Sequence, residues 1–458
     1  MTSRFFTAAR LPRLVLALLF SMTALLTGLG TGAGSAFFTQ SDQLVGDTVV
    51  VCLFDFCNEE PIQPVAHLPR FETLEAAKQV LEPQGGGTIL LAPGAFRVTL
   101  EWSGNWTLKG LGIPEAVVFS PKEKPPLGSG FVEMLNDFGN FPQAAMFLVK
   151  ENSTLRLENV TLQDDYLAPI TSPDSPFADA TDRLGFVGSY GLLLEENTSV
   201  SMNNVRILNW NSVAIGAPPH SRLSIENSEF VLPADLGTTI FTFKSKLMFK
   251  NNRMSYFSLV ARESDLTFEN NEFYKSTVFG HTKVSLKNNR FVDVATISHF
   301  SPGYGYDVGE LINIFGNIDV IGNTFEVRDQ ALQDLIAGGT EAEALLVSSG
   351  PEDVIVVRDN TFRGYSTGVS LVFGTKLELE NNLFEGNQVG FSVESLARLA
   401  QVFASNNRFL DHPRCAIEIE KRKDPENIVI DGLDNEFQGN AQDVCPADFP
   451  LPQGFSKR

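Results

Sequence analysis

The chain has 458 residues, of which 35 are Lys or Arg and 55 are Asp or Glu, so its formal net charge at pH 7 is −20. This acidic balance argues against nucleic acid and anionic membrane surfaces as partners. It also disfavours a polyanionic glycan, unless a cation bridges the two. The length is sufficient for a large hydrophobic core.

The first 36 residues have the pattern of a secretory signal peptide. A basic start precedes the apolar run 14–29, and the small residues 34–36 form a cleavage site; the basic residues are Arg4, Arg10 and Arg13. Cleavage leaves 32 basic and 55 acidic residues, a net charge of −23. No later segment is long enough to span a membrane. The sequence therefore predicts a secreted or periplasmic protein, and a retained N-terminal anchor is the alternative.

Four cysteines follow the signal, which in an exported chain indicates two disulfides. Cys52 and Cys57 would close a small loop in an N-terminal extension, residues 37–70. Cys415 and Cys445 stand at nearly equivalent positions of two neighbouring repeats, which predicts the second bridge. No close CxxC pairs are present, so a zinc site is not indicated.

Residues 73–81 have the pattern of an amphipathic helix, and residues 85–94 read as turn, strand and turn. A motif of the type Asn-Asn-x-Phe then recurs, mostly at intervals of about 18 to 28 residues, which is a solenoid period. The eleven copies begin at Asn159, Asn204, Asn227, Asn251, Asn270, Asn288, Gly322, Asp359, Asn381, Asn406 and Asp434.

Each motif lies between short stretches of alternating apolar residues, the period of a β-strand. The first motif residue is always Asn, Asp or Gly, the types that tolerate a left-handed backbone, which predicts a corner. The second, usually Asn, would point inward and pass amide hydrogen bonds from coil to coil, and the Phe would stack in the core. The motif is therefore interpreted as structural.

Charged residues around the motif alternate in sign from coil to coil. One such column is Glu226, Lys250, Glu269 and Lys287, and a second is Glu229, Arg253, Glu272 and Arg290. Stacking of successive coils explains both columns, which predicts that Glu269 lies between Lys250 and Lys287.

The helix, the Gly-Gly-Thr turn at 86–88, the apolar strand and the Pro-Gly pair at 93–94 resemble the start of the right-handed parallel β-helix, or pectin-lyase-like, superfamily. The resemblance covers roughly residues 71–440. It implies an all-β, single-stranded right-handed parallel β-helix over residues 71–445, with an N-terminal capping helix and a C-terminal tail at 446–458. The fold hosts lyases, hydrolases, epimerases and non-enzymes, and this chain lacks the enzyme motifs of its polygalacturonase-, pectate lyase- and epimerase-like members.

Three insertions interrupt the repeats, at 163–190, 300–310 and 328–346, the last with a helical pattern. Insertions in solenoids project as loops and often carry the binding face. Asp164, Asp165 and Asp182 in the first insertion could bind Ca²⁺, although acidic loops of this kind are more often only solvated.

One polar column is the candidate site. Coil spacing aligns His220, Lys244, Glu263, His281 and His299. Glu263, His281 and His299 are the candidate catalytic residues, because a carboxylate beside an imidazole can act as a general base. Lys244 and the loop residues Tyr304, Tyr306 and Asp307 are the candidate substrate-binding residues. The alternative is a row of solvated turn residues in which Lys244 and Glu263 are simply paired.

These features predict an exported β-helix protein that binds, and could cleave, a neutral or cation-bridged polysaccharide as a lyase or glycoside hydrolase. The rival interpretation is a non-catalytic structural or surface-interaction protein. In an enzyme, the insertions and the polar column should share one face and frame a groove.

Overall fold

In the computed structural model, residues 47–52, 65, 67–122, 145–164, 190–210, 214–217, 219–232, 240–281, 283–294, 296–297, 313–315, 318–348, 354–373, 376–394, 400–419, 428–447, 449 and 452–457 are described. The chain winds in coils of three strands, called here the first, second and third strand. First and second strands form one sheet, third strands form another, and all pairs except one are parallel. The predicted parallel β-helix is therefore confirmed.

The first and second strands meet at the Asn corner, and two of them run through it. The first strands are Thr48–Val51, Arg70–Phe71, Gly86–Leu91, Asn105–Gly110, Thr154–Gln163, Ser199–Leu208, Arg222–Glu226, Lys246–Lys250, Asp265–Glu269, Val284–Lys287, Ile318–Ile321, Val354–Arg358, Lys376–Glu380, Ala400–Ser405 and Ile428–Leu433. The second strands are Gly94–Val98, Val117–Pro121, Glu229–Val231, Arg253–Ser255, Glu272–Tyr274, Arg290–Val292, Thr324–Glu326, Thr361–Arg363, Leu383–Glu385, Arg408–Leu410, Asn435–Gln438 and Phe455–Lys457.

The second sheet contains the third strand of each coil. These strands are Leu100–Trp102, Ala145–Val149, Tyr190–Leu194, Ile215–Ala217, Ile240–Phe243, Ser258–Arg262, Thr277–His281, Asn313–Phe315, Ala342–Ser348, Thr367–Phe373, Val389–Val393, Cys415–Ile419 and Val444–Cys445. A short strand, Thr296–Ile297, pairs antiparallel with Ala342–Ser348. Two α-helices, α1 (Leu74–Leu81) and α2 (Gln330–Ala337), and two 3₁₀ turns, Glu82–Gln84 and Pro114–Ala116, complete the described elements.

The corner between first and second strands has the predicted left-handed backbone. All eleven first motif residues have a positive φ, from 51° at Asn227 to 68° at Gly322. Most L-residues are sterically strained in this region of the backbone map. Asn and Asp are destabilised less, because their short side chains form local hydrogen bonds. The residue types of the repeat are thus fixed by backbone geometry.

The second motif residues form a continuous ladder in the core. Asn271 shows the pattern: its Nδ2 donates to Asn289 Oδ1 at 3.0 Å and to the Phe249 carbonyl at 2.9 Å, and its Oδ1 accepts from the backbone N–H of Asn252 at 2.9 Å. The ladder members are Ser228, Asn252, Asn271, Asn289, Asn323, Asn360, Asn382, Asn407 and Asn435. The ladder satisfies buried polar groups that would otherwise be costly.

We expect Asn271→Leu to lower the free energy of unfolding by about 1–3 kcal/mol, because the amides of Asn252 and Asn289 lose their partner in a buried site. Chemical denaturation of the variant beside the wild type measures the loss. Asn270→Val at the neighbouring corner should also destabilise, for a different reason, since a β-branched residue would be forced to a φ of 56°. Midpoints equal to that of the wild type for both variants would contradict the corner geometry.

The motif aromatics stack behind the ladder. Phe273, Phe291, Phe325, Phe362, Phe384 and Phe409 form one column, with neighbouring ring centroids 4.6–5.0 Å apart and interplanar angles of 2–12°. The spacing equals the distance between hydrogen-bonded strands, so each ring lies on the ring of the next coil. Together with the Asn ladder, this column fixes the register of the coils.

The charge columns have the predicted register. Glu269 pairs with Lys250 on one side and Lys287 on the other, and its Oε2 lies 3.4 Å from Lys250 Nζ. In the second column, Arg253 and Glu272 are 3.6 Å apart, and Glu272 also bonds to Arg290. These pairs are solvent-accessible, so each contributes about 0–1 kcal/mol, and their main effect is on register.

A helix covers the N-terminal end of the solenoid, and one further strand extends the C-terminal end. Helix α1 is capped by Thr73 and buries Leu74, Ala77 and Leu81 against the first coil, as predicted. Strand Thr48–Val51 pairs in register with Gly86–Leu91, and at the other end Phe455–Lys457 pairs with Asn435–Gln438. The β-helix therefore includes residues on both sides of the 71–445 range expected from the sequence.

Cys415 and Cys445 are free thiols in this structure, and the bridge between them stays a prediction. Cys445 pairs with Glu418, three residues beyond Cys415, while the two thiols are neighbours. Burial, and after it the neighbouring Cys445 thiol, raises the pKa of Cys415. Cys52 is disulfide-bonded; Cys57 lies outside the described residues, so the pairing of these two residues stays a prediction.

Candidate functional site

The outer face of the first strands carries three columns of outward side chains, because alternate residues of a strand point to opposite faces. We call them the edge, central and corner columns. In five successive coils the edge column is Ser199, Arg222, Lys246, Asp265 and Lys283; the central column is Ser201, Ser224, Met248, Thr267 and Ser285; and the corner column is Asn203, Glu226, Lys250, Glu269 and Lys287.

A shallow groove of about 450 Å³ follows these coils. Its floor is the central column, in which four of the five side chains are Ser or Thr, and the longer edge side chains form one wall. Small hydroxyl residues between long charged ones leave a trough parallel to the solenoid axis. The groove thus offers hydroxyl donors and acceptors in four of its five coils.

The charge of the groove differs from that of the whole chain. Its edge column contains Arg222, Lys246 and Lys283 but only one acid, Asp265, whose Oδ2 lies 3.7 Å from Lys246 Nζ. The corner column on the opposite side has equal numbers of acidic and basic residues. The groove therefore has a basic wall on a protein with a net charge of −20.

Two of the sequence-predicted site residues lie close in sequence to the edge column. Lys244 and Glu263 both have a φ of 49° and lie at the junction between third and first strands, two residues before the edge column. Lys244 Nζ is 3.4 Å from Glu263 Oε2, and about half of each side chain is exposed, at 47% and 53%. His220, with a φ of 63°, holds the same corner in an earlier coil. These three residues are stacked as predicted.

The structure does not place His281 in that column. His281 pairs with Arg262 and not with Glu263, because the register step between these third strands is 19 residues where the expectation assumed 18. A shift of one residue moves a strand position to the opposite face. His299, Tyr304, Tyr306 and Asp307 lie outside the described residues. Their predicted roles stay predictions.

The proposed Ca²⁺ ligands are only partly within the described chain. Asp164 is 3% exposed and its backbone N–H donates to the Leu208 carbonyl, while Asp165 and Asp182 lie outside the described residues. Within the described ranges, no group of three or more His, Cys, Asp or Glu side chains could hold a metal ion. Neither described helix has the length and apolar character required to span a bilayer.

The predicted insertions leave the coil at one junction, between second and third strands. The first joins Thr154–Gln163 to Tyr190–Leu194, the second falls before Asn313–Phe315, and the third joins Thr324–Glu326 to Ala342–Ser348. The third contains α2 as expected, but residues 342–346 belong to a strand and not to the insertion. Lys244 and Glu263 lie at the other junction, between third and first strands.

Sequence reasoning missed a pair of carboxyl groups on the outer face of the second sheet. Ser370, which is fully buried, donates a hydrogen bond to Glu394 Oε1 at 2.6 Å. Burial, and then the neighbouring charge of Glu394, raises the pKa of the half-buried Glu343 to about 8. Glu343 is thus predominantly protonated at neutral pH. No local signal marks it, because Glu-Ala-Glu at 341–343 is also the pattern of an exposed strand.

His412 is fully buried and belongs to the core. Its Nδ1 lies 2.8 Å from the Asn387 carbonyl, and its backbone N–H donates to Asn440 Oδ1 at 3.1 Å. Burial lowers the pKa of its imidazole, which favours the neutral ring. Because solvent does not reach it, His412 is a structural residue and not a candidate for proton transfer to a substrate.

No family model and no curated protein matches the chain. Among solved structures, the chain is similar to a periplasmic alginate epimerase at 12% identity, over 81% of this chain and 77% of that one, with a TM-score of 0.43. It is similar to tailspike protein 3 of bacteriophage CBA120 at 12% identity, over 82% of this chain and 57% of that one, with a TM-score of 0.44. It is similar to the catalytic domain of a GH87 α-1,3-glucanase at 12% identity, over 93% of this chain and 70% of that one, with a TM-score of 0.42. At these values the likeness carries no conclusion about activity.

Proposed function

We propose that this protein is exported and binds an extended polysaccharide along the groove on the outer face of the first strands. The observation that carries the proposal is the groove itself, which runs over five coils with Ser or Thr on its floor in four of them and charged side chains along its wall. Sugar hydroxyls are both donors and acceptors, and the Ser and Thr hydroxyls can satisfy them in those four coils.

The repeat of the fold suits a repeating ligand. Successive strands are about 4.8 Å apart, close to the length of one extended pyranose residue, so each sugar can meet an equivalent set of side chains. The basic wall of Arg222, Lys246 and Lys283 can also hold anionic substituents by charge-assisted hydrogen bonds. A glycan with acidic groups is therefore compatible with the groove, despite the negative charge of the whole protein.

Cleavage is the less supported part of the proposal. Glu263 and His281 each lie two residues before an edge-column residue, but His281 pairs with Arg262 and so stands one position out of the column of Glu263. Glu263 is half-exposed and paired with Lys244, an arrangement that surface residues commonly adopt. Binding without turnover is thus the function that the geometry supports best, and a purely structural role is the competing hypothesis.

We expect Ser224→Trp to weaken polysaccharide binding at least about tenfold, because the indole would fill the floor of the groove. Binding of the mature protein to xylan, mannan, mixed-linkage β-glucan, pectin and alginate can be measured by affinity electrophoresis and then by calorimetry. Thr361→Trp, on a second strand away from the groove, is the matched control and should bind as the wild type does.

Two results would count against the proposal. If the folded wild type binds none of these polysaccharides, the structural role is favoured. If Ser224→Trp binds one of them with unchanged affinity, the ligand lies elsewhere on the molecule. Release of reducing ends or unsaturated products by the wild type, lost in Glu263→Gln, would in turn establish cleavage.

A further inference from the structure

An exposed aromatic side chain lies on the same face as the groove. Phe403 is 53% exposed, whereas the six rings of the Phe stack are fully buried. Two further apolar side chains, Val429 and Leu433, are 47% and 57% exposed in the next coil. Exposed apolar side chains grouped in this way mark interaction sites more often than chance.

The register places Phe403 in the central column. From Ser285, the column continues through Asp319, Val356 and Glu378 to Phe403, a distance of four strand spacings or about 19 Å. The floor of the groove and the Phe403 ring therefore belong to one line of outward positions. A linear ligand that follows the solenoid axis would reach the ring after leaving the groove.

Two carboxylates flank the ring. Glu378 precedes Phe403 in the central column and Asp431 follows it, and both side chains are exposed. An aromatic face can pack against the C–H face of a pyranose, while carboxylates accept hydrogen bonds from its hydroxyl groups. A sugar with its own carboxylate would be repelled by these two side chains.

We propose that Phe403, with Glu378 and Asp431, is a second subsite that stacks a neutral pyranose of the same polysaccharide. This inference rests on the proposed function and adds a chemical requirement at one end of the ligand. The basic wall of the groove tolerates acidic sugars, but the Phe403 subsite selects against them. The occupant is a glycan and not a second copy of the chain. The ring continues the line of the groove, and the carboxylates on both sides of it would repel a second acidic chain.

The subsite makes affinity depend on ligand length. Ser201 and Phe403 are eight strand spacings apart, so only a chain of about nine or more sugars can occupy the groove and the ring together. We expect neutral oligosaccharides of about ten residues to bind the wild type about tenfold more tightly than those of about four residues.

Phe403→Ala should abolish this gain with length, and Phe403→Tyr should restore it, since a phenol ring also stacks. Leu335→Ala, which removes a similarly exposed apolar side chain (51%) on helix α2, is the control. The probes are oligosaccharides of xylan, mannan and mixed-linkage β-glucan, with oligogalacturonates of the same lengths, titrated by calorimetry. The affinity of the wild type for oligogalacturonates should not rise with their length. In the double variant Glu378→Gln/Asp431→Asn, this affinity should rise with length.

The outcomes separate this inference from the proposed function. If long neutral chains bind Phe403→Ala as tightly as the wild type, while Ser224→Trp abolishes binding, the subsite is overturned and the groove stands. If no oligosaccharide binds the wild type, both are overturned. If the wild type is a dimer in light scattering and Phe403→Ala is a monomer, the patch is a contact between copies and the subsite is likewise overturned.

Discussion

Replacing Phe325 by alanine is expected to lower the free energy of unfolding by about 3–5 kcal/mol. Phe325 is fully buried, and its ring centroid lies 4.6 Å from that of Phe291 and 4.8 Å from that of Phe362. The substitution removes the ring from the middle of the stack and leaves a cavity. The coils on either side are held by the Asn ladder and cannot close over it without breaking the strand register.

Phe403→Ala is the matched control, because it removes the same side chain from the outer face of the same sheet. Its ring is 53% exposed, so we expect a loss below about 1 kcal/mol. Urea denaturation followed by circular dichroism measures both variants. Equal losses for Phe325→Ala and Phe403→Ala would show that the stack does not carry the stability assigned to it here.

The destabilisation caused by Phe325→Ala should also be confined to the neighbouring coils. A solenoid is quasi-one-dimensional, and each coil contacts only its neighbours. In Phe325→Ala, amide hydrogen exchange should therefore accelerate first in 283–294, 318–327 and 354–363, which contain Phe325 and its two stacking partners. Acceleration that is uniform from residue 67 to residue 457 would instead indicate that the whole solenoid opens as one unit.

The repeat could be predicted from the sequence because its requirements are local. A corner with φ near 55° selects Asn, Asp or Gly at one position, and the inward amide must match those of the adjacent coils. The charge columns could be predicted for the same reason. The Asn ladder fixes the register of the coils, and this register places Glu269 between its two lysines. The capping helix was visible for the same reason, as an amphipathic pattern that begins at an N-cap residue, Thr73.

The candidate site was predictable only in part, because it depends on distances that vary from coil to coil. Counting from Glu263 gave His281, but His281 pairs with Arg262, and the connection from there to the next first strand is one residue shorter than in the preceding coil. The groove exists because the central column has mostly small side chains and the edge column has long ones. These columns are defined only by the register of the coils, so the sequence did not predict the groove.

The carboxyl groups of Glu343 and Glu394 are expected to make the stability of the protein depend on pH. In the folded protein the pKa of Glu343 is raised to about 8, from an ordinary value of 4.5. Between these two values the folded state holds a proton that the unfolded state has released. Stability should therefore fall as the pH rises from about 4.5 to about 8, and should level off above that range.

We expect Glu343→Gln to remove most of this dependence, because glutamine keeps the shape and a donor but cannot ionise. At about pH 5 the variant and the wild type should differ by less than about 1 kcal/mol, and near pH 8.5 the variant should be more stable by about 2–5 kcal/mol. The upper limit is the full shift of the pKa, and the lower allows for solvent around a half-buried side chain.

Thermal unfolding of both proteins over this pH range measures the effect. Glu196→Gln, at an exposed glutamate, is the control and should leave the pH dependence of the wild type intact. Glu394→Gln should reduce the dependence without abolishing it, because burial, the larger cause of the raised pKa of Glu343, remains when the neighbouring charge is gone. Parallel curves for the wild type and Glu343→Gln would mean that Glu343 is ionised in the folded protein. The outer face of the second sheet would then be open to water at this position, and Ser370 would donate to one of two charged carboxylates.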